Sequence, residues 1–412
     1  MSKDSSLRII VTGLIAQHPW LGGVAWDYVQ YPAGLARLGH DVYYFEDSGE
    51  WPYNRDGGAL GDQWIAHDYS AHLDHLAQTM RRFGLEDRWA YRFPIKPRWH
   101  GLSRQRRREV LESADLLINV SGTLKRPEDY RRVKRLVYID SDPGFTQVKL
   151  MLPRGQKKFQ ARVNMHDCYF SFGENLAAAM PESGRQWRRT RQPVLLSAWR
   201  PESAHRNAYT TVMSWTSYKP LRYRGQVFGQ KDSEFKRCAE LPRMLPGVEF
   251  EVAMNQTQHA EWETERSEAG GTCIRRSPRE QLGALGWHIV DAATACAGID
   301  DYRDYIETSK AEWSIAKSGY VVARTGWFSC RSACYLAAGR PVVVQDTAFG
   351  AVLPTGEGIL KFTTLDDALH AVREIEGNYE RHARAAREIA ETYFDSDKVL
   401  QRLLADAFSH GN

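Results

Sequence analysis

The feature of this sequence that most constrains its fold is the stretch 319–345, GYVVARTGWFSCRSACYLAAGRPVVVQ. Its apolar, β-rich run 320–323 predicts a buried strand. Residues 332–338 contain no helix breaker and precede a glycine stop, so they predict a helix. The apolar run 342–344 predicts a second strand. A strand–loop–helix–strand unit of this kind is typical of an α/β domain with a parallel sheet.

The loop of this unit, residues 324–331, predicts an anion site. Gly326 has no side chain, which lets the backbone come close to a ligand. Ser329 and Ser332 supply hydroxyls where the helix begins, and Arg331 adds a fixed positive charge. A helix start with free N–H groups, hydroxyls and an arginine favours phosphate or diphosphate.

Length and composition predict a two-domain protein. The chain has 412 residues, too many for one ordinary domain, and its 42% apolar content suffices for real cores. No apolar run reaches the roughly 18 residues of a membrane span, and the start, MSKDSSLRII, lacks the apolar segment of a secretory signal. No cysteine pair has CxxC or metal-binding spacing, so we expect reduced thiols, a cytoplasmic location and no cysteine-bound metal. The cysteines are Cys168, Cys238, Cys273, Cys296, Cys330 and Cys334.

The beginning of the chain predicts a βαβ unit that lacks a dinucleotide fingerprint. Strands are expected at 7–12 and 41–46, with a helix over 26–38 between them. No GxGxxG follows the first strand. Gly22 and Gly23 lie just before the helix instead, where bare backbone N–H groups suit a phosphate, although a plain turn explains the pair equally well.

The remaining pattern repeats this α/β alternation in both halves of the chain. An irregular insertion rich in aromatic and polar residues occupies 48–105, with a helix near 67–82. Further strands of the first half are expected at 116–120, 136–140, 169–172 and 194–196. The second half predicts strands at 210–215, 248–253 and 287–290 besides those above, and helices at 231–243, 302–312, 366–376, 379–393 and 397–408. The fold class is therefore α/β, with two Rossmann-like, doubly wound domains facing a cleft and C-terminal helices that cross back.

The charge is distributed unevenly along the chain. Residues 1–206 hold 31 basic and 23 acidic residues, a net charge of +8, whereas the rest hold 24 and 28, a net charge of −4. The excess lies in runs such as 104–108 (RQRRR) and 131–135 (RRVKR). A basic first half favours an acidic partner. Solvated helix faces explain the same runs and are the more common case.

The motifs together resemble those of the GT-B nucleotide-sugar glycosyltransferases, in which an acceptor-binding domain precedes a donor-binding domain. The most specific part is TGWFS at 325–329 followed by AGRPVV at 338–343, which looks like the donor signature of that family. The whole chain is also similar to a group of bacterial glycosyltransferases of unknown acceptor that share TTVMSWTSY, GQKD, FSCRSACYLAAGRPVVVQDT and PTGEG. The resemblance implies an acceptor-binding domain at 1–200, a donor-binding domain at 201–390 and a returning helix at 391–412.

Two departures from the family pattern bear on the mechanism. Arg324 stands where many members carry a histidine before the glycine of the donor turn. The Glu-x7-Glu pair of many retaining members is absent, because its positions hold Gly326 and Cys334. Without this pair of carboxylates, retention of the sugar's configuration loses its usual support, which favours inversion.

The resemblance also implies roles for the donor-binding residues. The diphosphate would lie against Gly326, Ser329, Arg331 and Ser332, with Lys231 reaching in from its own helix and Gly22 and Gly23 closing from the other domain. Gln345 and Asp346 would bind the sugar hydroxyls, and Glu357, between two glycines, the ribose hydroxyls. A surface lysine and a loop carboxylate are the plain explanations of Lys231 and Glu357.

The predicted catalytic base is His18, which resembles by position the histidine that follows the first strand in inverting members. Asp142 is the rival base, and Asp140 would orient it. A loop histidine without a function, and two aspartates that cap an Asp-Pro-Gly turn, are the alternative explanations.

Three functions agree with these residues. The first is metal-independent transfer of a sugar from a nucleotide-diphosphate sugar, most readily a UDP-sugar, to an acceptor hydroxyl, with no cofactor beyond this substrate. The second is a DNA glycosyltransferase that acts on a hydroxymethylated pyrimidine, which the basic first half motivates. The third is an NDP-sugar epimerase or a non-catalytic nucleotide-sugar binder. The sequence identifies neither the acceptor nor the donor's sugar.

Overall fold

The structure is a computed structural model that describes residues 6–53, 68–94, 98–152, 154–180, 184–201, 204–255 and 277–409. The predicted loops and the cysteine that fall at 54–67, 95–97 and Cys273 lie outside the described residues. Within the described part, none of the helices combines the length and the apolar character that a membrane crossing requires.

The first lobe is built on a sheet of eight strands in the order β4-β3-β2-β1-β5-β6-β7-β8. All neighbours are parallel except β3 and β4. The central order is that of a doubly wound Rossmann-like sheet. The strands are β1 Arg8–Thr12, β2 Asp41–Glu46, β3 Trp89–Phe93, β4 Arg98–Gly101, β5 Leu116–Val120, β6 Leu136–Asp140, β7 Cys168–Ser171 and β8 Trp187–Arg189.

Helices cover both faces of this first sheet. The helix that reaches the other lobe is α1, and it lies between β1 and β2 as the sequence predicts. It begins four residues earlier than expected, directly at Gly22. The helices are α1 Gly22–Arg37, α2 Ser70–Arg82, α3 Arg104–Ser113, α4 Phe145–Met151, α5 Lys157–Asn164 and α6 Leu176–Ala179, with 3-10 turns at Pro127–Tyr130 and Leu196–Ala198.

The second lobe has a six-stranded, fully parallel sheet in the order β13-β12-β9-β14-β15-β16. This is again the doubly wound order, and a small antiparallel hairpin, β10 and β11, lies beside it. The strands are β9 Ala208–Met213, β10 Leu221–Tyr223, β11 Gln226–Phe228, β12 Glu249–Met254, β13 His288–Asp291, β14 Ala311–Ser314, β15 Val342–Gln345 and β16 Ile359–Phe362.

The helices of the second lobe alternate, singly or in pairs, with these strands along the chain. They are α7 Lys231–Lys236, α8 Leu241–Met244, α9 Pro278–Ala284, α10 Ala292–Ala295, α11 Ile299–Glu307, α12 Ser318–Ala323, α13 Cys330–Ala337 and α14 Leu365–Gly377. Two further helices close the chain, α15 Tyr379–Ile389 and α16 Ser396–Phe408, with a π-helical turn Ala390–Phe394 between them and a 3-10 turn at Phe349–Ala351 before β16.

The two lobes share one continuous apolar core. Trp26 on α1, Tyr302 on α11 and Leu400 on α16 belong to the same buried cluster. The indole N–H of Trp26 donates to the carbonyl of Ile299 across the lobes at 2.8 Å. The last helix, α16, packs on α1, where Leu400 comes against Gly34. The predicted fold class, with its C-terminal helix crossing back, is thus confirmed.

Several predicted elements differ from the structure. The run 320–323 belongs to the helix α12 and is not a strand. The strand of the sheet at this point is Ala311–Ser314, which begins in the last two residues of the predicted helix 302–312. A short apolar run fits a buried strand and a buried helix equally, and only the pairing with β9 and β15 decides. The run 194–196 forms one bridge, Val194 with Asp395, and a 3-10 turn, so the edge strand is β8. The predicted helix 231–243 is divided into α7 and α8, and β3 and β4 lie unpredicted in the insertion.

The domain boundaries at 200 and 390 stay a prediction. The last strand of the first sheet ends at Arg189 and the first strand of the second begins at Ala208, so a boundary near 200 falls between the sheets.

Candidate functional site between the lobes

A cavity of about 340 Å³ lies between the two lobes, where the carboxyl ends of both parallel sheets face each other. Open α/β sheets bind their ligands at this edge. The first lobe contributes Gly23, Asp27, Tyr28, Ser121, Ser141 and Phe172 to its wall. The second contributes Val212, Ser217, Lys231, Lys317, Trp327, Ser329 and Arg331.

The amino end of α13 opens into this cavity. Ser329 precedes the helix in extended conformation, and its side chain makes no capping hydrogen bond. Within the described residues, the backbone amides of Arg331 and Ser332 have no hydrogen-bond acceptor. The helix therefore presents free N–H groups and the positive end of its dipole at the cavity wall, as an anion site requires.

Arg331 provides a charge that the protein holds in place. Its Nε donates to Glu312 Oε1 at 2.6 Å, and Nη1 donates to the carbonyl of Val212 at 2.6 Å. Nη2 donates to the Ser314 hydroxyl. Burial opposes the charge on Arg331, but the carboxylate of Glu312 outweighs this effect and raises the pKa of the guanidinium above its ordinary value. Arg331 is thus a cation whose position in the first turn of α13 is fixed by its partners.

Lys231 is the cation in the cavity wall that the protein does not neutralise. Within the described residues its ammonium has neither a hydrogen bond nor an ion pair. Burial, with further repulsion from Arg331 and Lys317, lowers the pKa of Lys231 well below its ordinary value. A buried group in this state favours an anionic ligand, because an anion relieves the repulsion and stabilises the charged ammonium.

Asp27 is a cavity residue that sequence reasoning missed. It lies on α1 and lines the cavity together with Cys330 and Arg331 at the amino end of α13. Burial raises the pKa of its carboxyl to about 7, although Arg331 and the hydrogen bond from Cys330 act in the opposite direction. The signal in the sequence is slight: Asp27 and Arg37 are the charged residues of an otherwise neutral helix.

Asp142 follows β6 and joins the two lobes. Its carboxylate lies 3.0 Å from the ammonium of Lys317 and accepts hydrogen bonds from the hydroxyls of Tyr218 and Tyr320, all from the second lobe. Burial raises its pKa, but Lys317 and the two phenols outweigh this effect and lower the pKa below the ordinary value. A carboxylate with three donors is a poor acceptor for a further proton, so this geometry gives the predicted base role no support.

Asp140 holds the turn in which Asp142 lies. One of its oxygens accepts the backbone N–H of Asp142 at 3.0 Å, and the other accepts Gln147 Nε2 at 2.9 Å and the Ser171 hydroxyl at 2.8 Å. Asp140 is buried, and burial raises its pKa. The predicted orienting function thus has a geometric basis, directed at the segment after β6.

His18 lies in the loop after β1, outside the cavity wall. Its ring packs 5.8 Å from the ring of Tyr53, and its Nδ1 is buried with no hydrogen-bond partner. Burial, with a smaller contribution from His72, lowers the pKa of His18 to about 4, so the ring is neutral at physiological pH. A neutral imidazole is chemically able to accept a proton, and its catalytic role stays a prediction.

The paired glycines bring the lobes together instead of leaving both amides free. The N–H of Gly22 donates to the carbonyl of Cys296 at 2.9 Å. A Cβ at Gly22 would lie 2.0 Å from the carbonyl oxygen of Gly298, and one at Gly23 would lie 2.8 Å from the ring of Tyr302. Gly23 lines the cavity, whereas the phosphate contact expected of Gly22 has no support, because its amide is already used.

Gly326 and Ser332 also lie beside the cavity rather than on its wall. Gly326 has φ +80° and packs on Asn175 of the first lobe, whose N–H donates to the carbonyl of Thr325 at 2.8 Å. The hydroxyl of Ser332 is buried without a partner, in a small space beneath α13.

Gln345, Asp346 and Glu357 are placed away from the cavity. Gln345 is buried between Glu234, which accepts from its Nε2 at 2.6 Å, and the N–H of Ala316. Asp346 caps the N–H of Ala348 at 2.8 Å. Glu357 pairs with Arg381 in a separate surface depression. The sugar and ribose contacts expected of these three residues therefore have no support in this geometry.

Comparison with known proteins gives the class of the fold. No protein family matches the sequence, and no curated protein is similar to it. Among solved structures, an alpha-glucosyltransferase in complex with UDP and a 13-mer DNA containing a HMU base is similar at a TM-score of 0.58 and 11% identity, over 98% of this chain and 100% of that chain. Sucrose-phosphate synthase from Thermosynechococcus elongatus is similar at a TM-score of 0.51 and 12% identity, over 97% of this chain and 99% of that chain. Anabaena HepE in complex with UDP-glucose is similar at a TM-score of 0.52 and 10% identity, over 97% of this chain and 98% of that chain.

These likenesses extend over the full length of each protein and establish that the chain has the GT-B fold, with two Rossmann-like domains. The predicted resemblance is therefore confirmed at the level of the fold.

Proposed function

We propose that the protein is a glycosyltransferase that moves a sugar from a nucleotide-diphosphate sugar, most readily a UDP-sugar, to an acceptor hydroxyl without a bound metal. The observation that carries the proposal is the convergence of Lys231, Arg331 and the free amides of α13 on one cavity between the lobes. Together they supply the positive potential that a departing nucleoside diphosphate needs. The UDP and UDP-glucose bound by two of the structural neighbours belong to the same ligand class.

We infer from the wall residues of each lobe how the site is divided between donor and acceptor. The diphosphate lies against α13, with Lys231 and Arg331 beside it and Ser329 at the helix start. The acceptor then enters from the first lobe, whose share of the wall carries hydroxyls and aromatic rings at Ser121, Ser141, Tyr28 and Phe172. Rings and hydroxyls of this kind suit a hydroxylated acceptor. A cytoplasmic location stays part of the proposal.

A thermal-shift screen tests the donor class. A ligand that binds only the folded protein raises its melting temperature, so UDP-, GDP- and dTDP-sugars can be ranked against one another in EDTA-containing buffer. We expect a UDP-sugar to give the largest shift and the variant Lys231→Met to lose it. Equal and negligible shifts for all three nucleotides would reject the donor class.

The second candidate function is a DNA glycosyltransferase. One structural neighbour is bound to DNA that contains a HMU base, and the first half of this chain is basic. A groove on the first lobe adds Trp99 and the arginines 104, 107, 108 and 132. Several of these arginines are paired, since Glu112 accepts from both Arg108 and Arg132. Salt-sensitive retardation of duplex DNA that neutralisation of Arg106–Arg108 abolishes supports this candidate, and indifference to DNA excludes it.

A further inference from the structure

The carboxyl group of Asp27 lies at the place that the proposed function assigns to an anion. It lines the cavity together with Ser329, Cys330 and Arg331 at the start of α13. The same helix start has free amides and lacks a side-chain cap. A carboxyl group, that of Asp27, therefore lies in the same cavity wall as the proposed anion site.

A diphosphate and an ionised carboxylate repel each other strongly in such a confined, largely buried space. We propose that the donor's diphosphate enters only as Asp27 takes up one proton from solvent, so that donor binding and protonation of this carboxyl are linked. This inference rests on the proposed function. In the bound state the protonated carboxyl donates a hydrogen bond to a phosphate oxygen instead of opposing its charge.

The titratable and charged groups around Asp27 do not themselves change protonation near neutral pH. They come from three elements: Tyr28 and Tyr31 on α1, Tyr302 on α11, and Cys330, Arg331 and Cys334 on α13. Burial raises the pKa of each of these phenols and thiols, so they stay protonated in the neutral range. Arg331 stays charged. Burial raises the pKa of Asp27 itself to about 7, which places its titration in that range.

Two other groups are accounted for in the design of the test. Burial and the neighbouring cations lower the pKa of Lys231, and a bound anion raises it again, so Lys231 is a second group whose protonation is linked to binding. Substitution by arginine keeps a permanent charge there and removes that titration. Glu46, which shares Tyr28 as a neighbour, has a pKa of about 7 because of its burial. Glu46 is present in both the wild type and the Asp27 variant, so any proton that it takes up on binding drops out of the difference between their proton counts.

The experiment is calorimetric titration with UDP-glucose, whose two phosphates keep one charge each across the neutral range. For Lys231→Arg, in which Asp27 is the linked group, we expect the dissociation constant to rise by up to about tenfold for each pH unit above pH 7. The wild type should rise at least as steeply, because Lys231 is linked to binding as well. Asp27→Asn should remove this rise in the Lys231→Arg background and make it shallower, by up to about tenfold for each pH unit, in the wild-type background. In both backgrounds it should bind more tightly than its parent at about pH 8.5. Asp74→Asn, on the exposed face of α2, is the matched control and should behave as the wild type.

A second measurement does not depend on any variant. Titration of the wild type at about pH 8 in buffers of different ionisation enthalpy counts the protons taken up on binding, and we expect a count that Asp27→Asn lowers by up to one. If Asp27→Asn keeps the pH slope and the proton count of its parent, the inference is wrong. Tight binding with no pH dependence would overturn it while leaving the proposed function intact. No binding of UDP-, GDP- or dTDP-glucose at about pH 6 would instead reject the proposed function.

Discussion

Glu312, which is 0% exposed, holds Arg331 through an ion pair of 2.6 Å beneath the amino end of α13. Glu312 lies on β14 and Arg331 in the first turn of α13, so the pair joins the sheet to the helix start. The other donors of Arg331 bind β9 and β14, at Val212 and Ser314. The arginine therefore contributes a charge whose position is set before any ligand arrives.

The first prediction concerns this ion pair. Glu312→Gln leaves a buried arginine without its counter-charge, and breaking a buried pair in this way costs about 3 kcal/mol of unfolding free energy. Urea denaturation at neutral pH measures the loss. Glu109→Gln, which removes an exposed partner of Arg106, is the control and should leave the unfolding midpoint unchanged. Equal effects of the two variants would contradict the structural role of Glu312.

The second prediction separates ligand binding from stability at Lys231. Burial and neighbouring cations lower the pKa of this lysine, so its charge destabilises the fold at neutral pH, where the unfolded chain is protonated. Lys231→Met should therefore raise the melting temperature while it weakens UDP-sugar binding by at least about tenfold. Lys158→Met, on the exposed face of α5, should change neither quantity. A variant with unchanged stability and normal donor binding would show that Lys231 behaves as an ordinary surface lysine.

The third prediction concerns the link between the lobes at Asp142. Because Lys317 and two phenols lower the pKa of Asp142, its stabilising contribution is fully present above its unfolded-state pKa and is lost as pH falls through the lower, folded-state value. Asp142→Asn should therefore destabilise the protein by about 2 kcal/mol at neutral pH and progressively less below about pH 4. Denaturation curves over this pH range give the difference. Loss of turnover with unchanged stability would indicate instead the base role predicted from the sequence.

The fourth prediction is the opposite pH dependence for Asp27. Burial raises the pKa of this carboxyl to about 7, so its ionisation opposes folding, and the wild type loses stability as pH rises from about 4 to 7. Asp27→Asn should be more stable than the wild type by about 2–4 kcal/mol at pH 8, with the difference vanishing near pH 4. Urea denaturation at both pH values is the measurement. A pH-independent difference would show that the effect is not ionisation.

The fifth prediction tests the approach of the lobes at α1. A Cβ at Gly22 would lie 2.0 Å from the carbonyl oxygen of Gly298, which is backbone and has little freedom to move. Gly22→Ala should destabilise the protein by more than about 3 kcal/mol or prevent its folding. Gly377→Ala, where a Cβ meets nothing within 4 Å, is the control and should be neutral or slightly stabilising. A fully stable Gly22→Ala protein would contradict the packing of α1 on the second lobe.

The sequence predicts those parts of the fold that local pattern determines. The helix α13 and the strand β15 follow from a breaker-free segment and a valine run, and the two Rossmann-like lobes follow from the repeated alternation. The sequence does not predict α12 correctly, because an apolar run of four residues fits a strand and a helix equally. The neighbouring segment β14 is recognised as a strand only from its pairing with β9 and β15.

The site is less predictable than the fold, because its residues meet across the lobes. Ser329, Arg331 and Lys231 are found from local signals at helix starts. Asp27 has no such signal, and its importance comes from contact with residues about 300 positions further along the chain. Asp142 and Gly22 look like a base and a phosphate-binding turn, yet partners in the other lobe occupy their polar groups. Distant partners of this kind are invisible to motif reasoning.

The most direct test of the central claim is a crystal structure of the protein with a bound UDP-sugar. The account predicts that the diphosphate lies within hydrogen-bond distance of the amides of Arg331 and Ser332, with the ammonium of Lys231 beside it. A diphosphate bound elsewhere, for example in the depression between Glu357 and Arg381, would contradict the account.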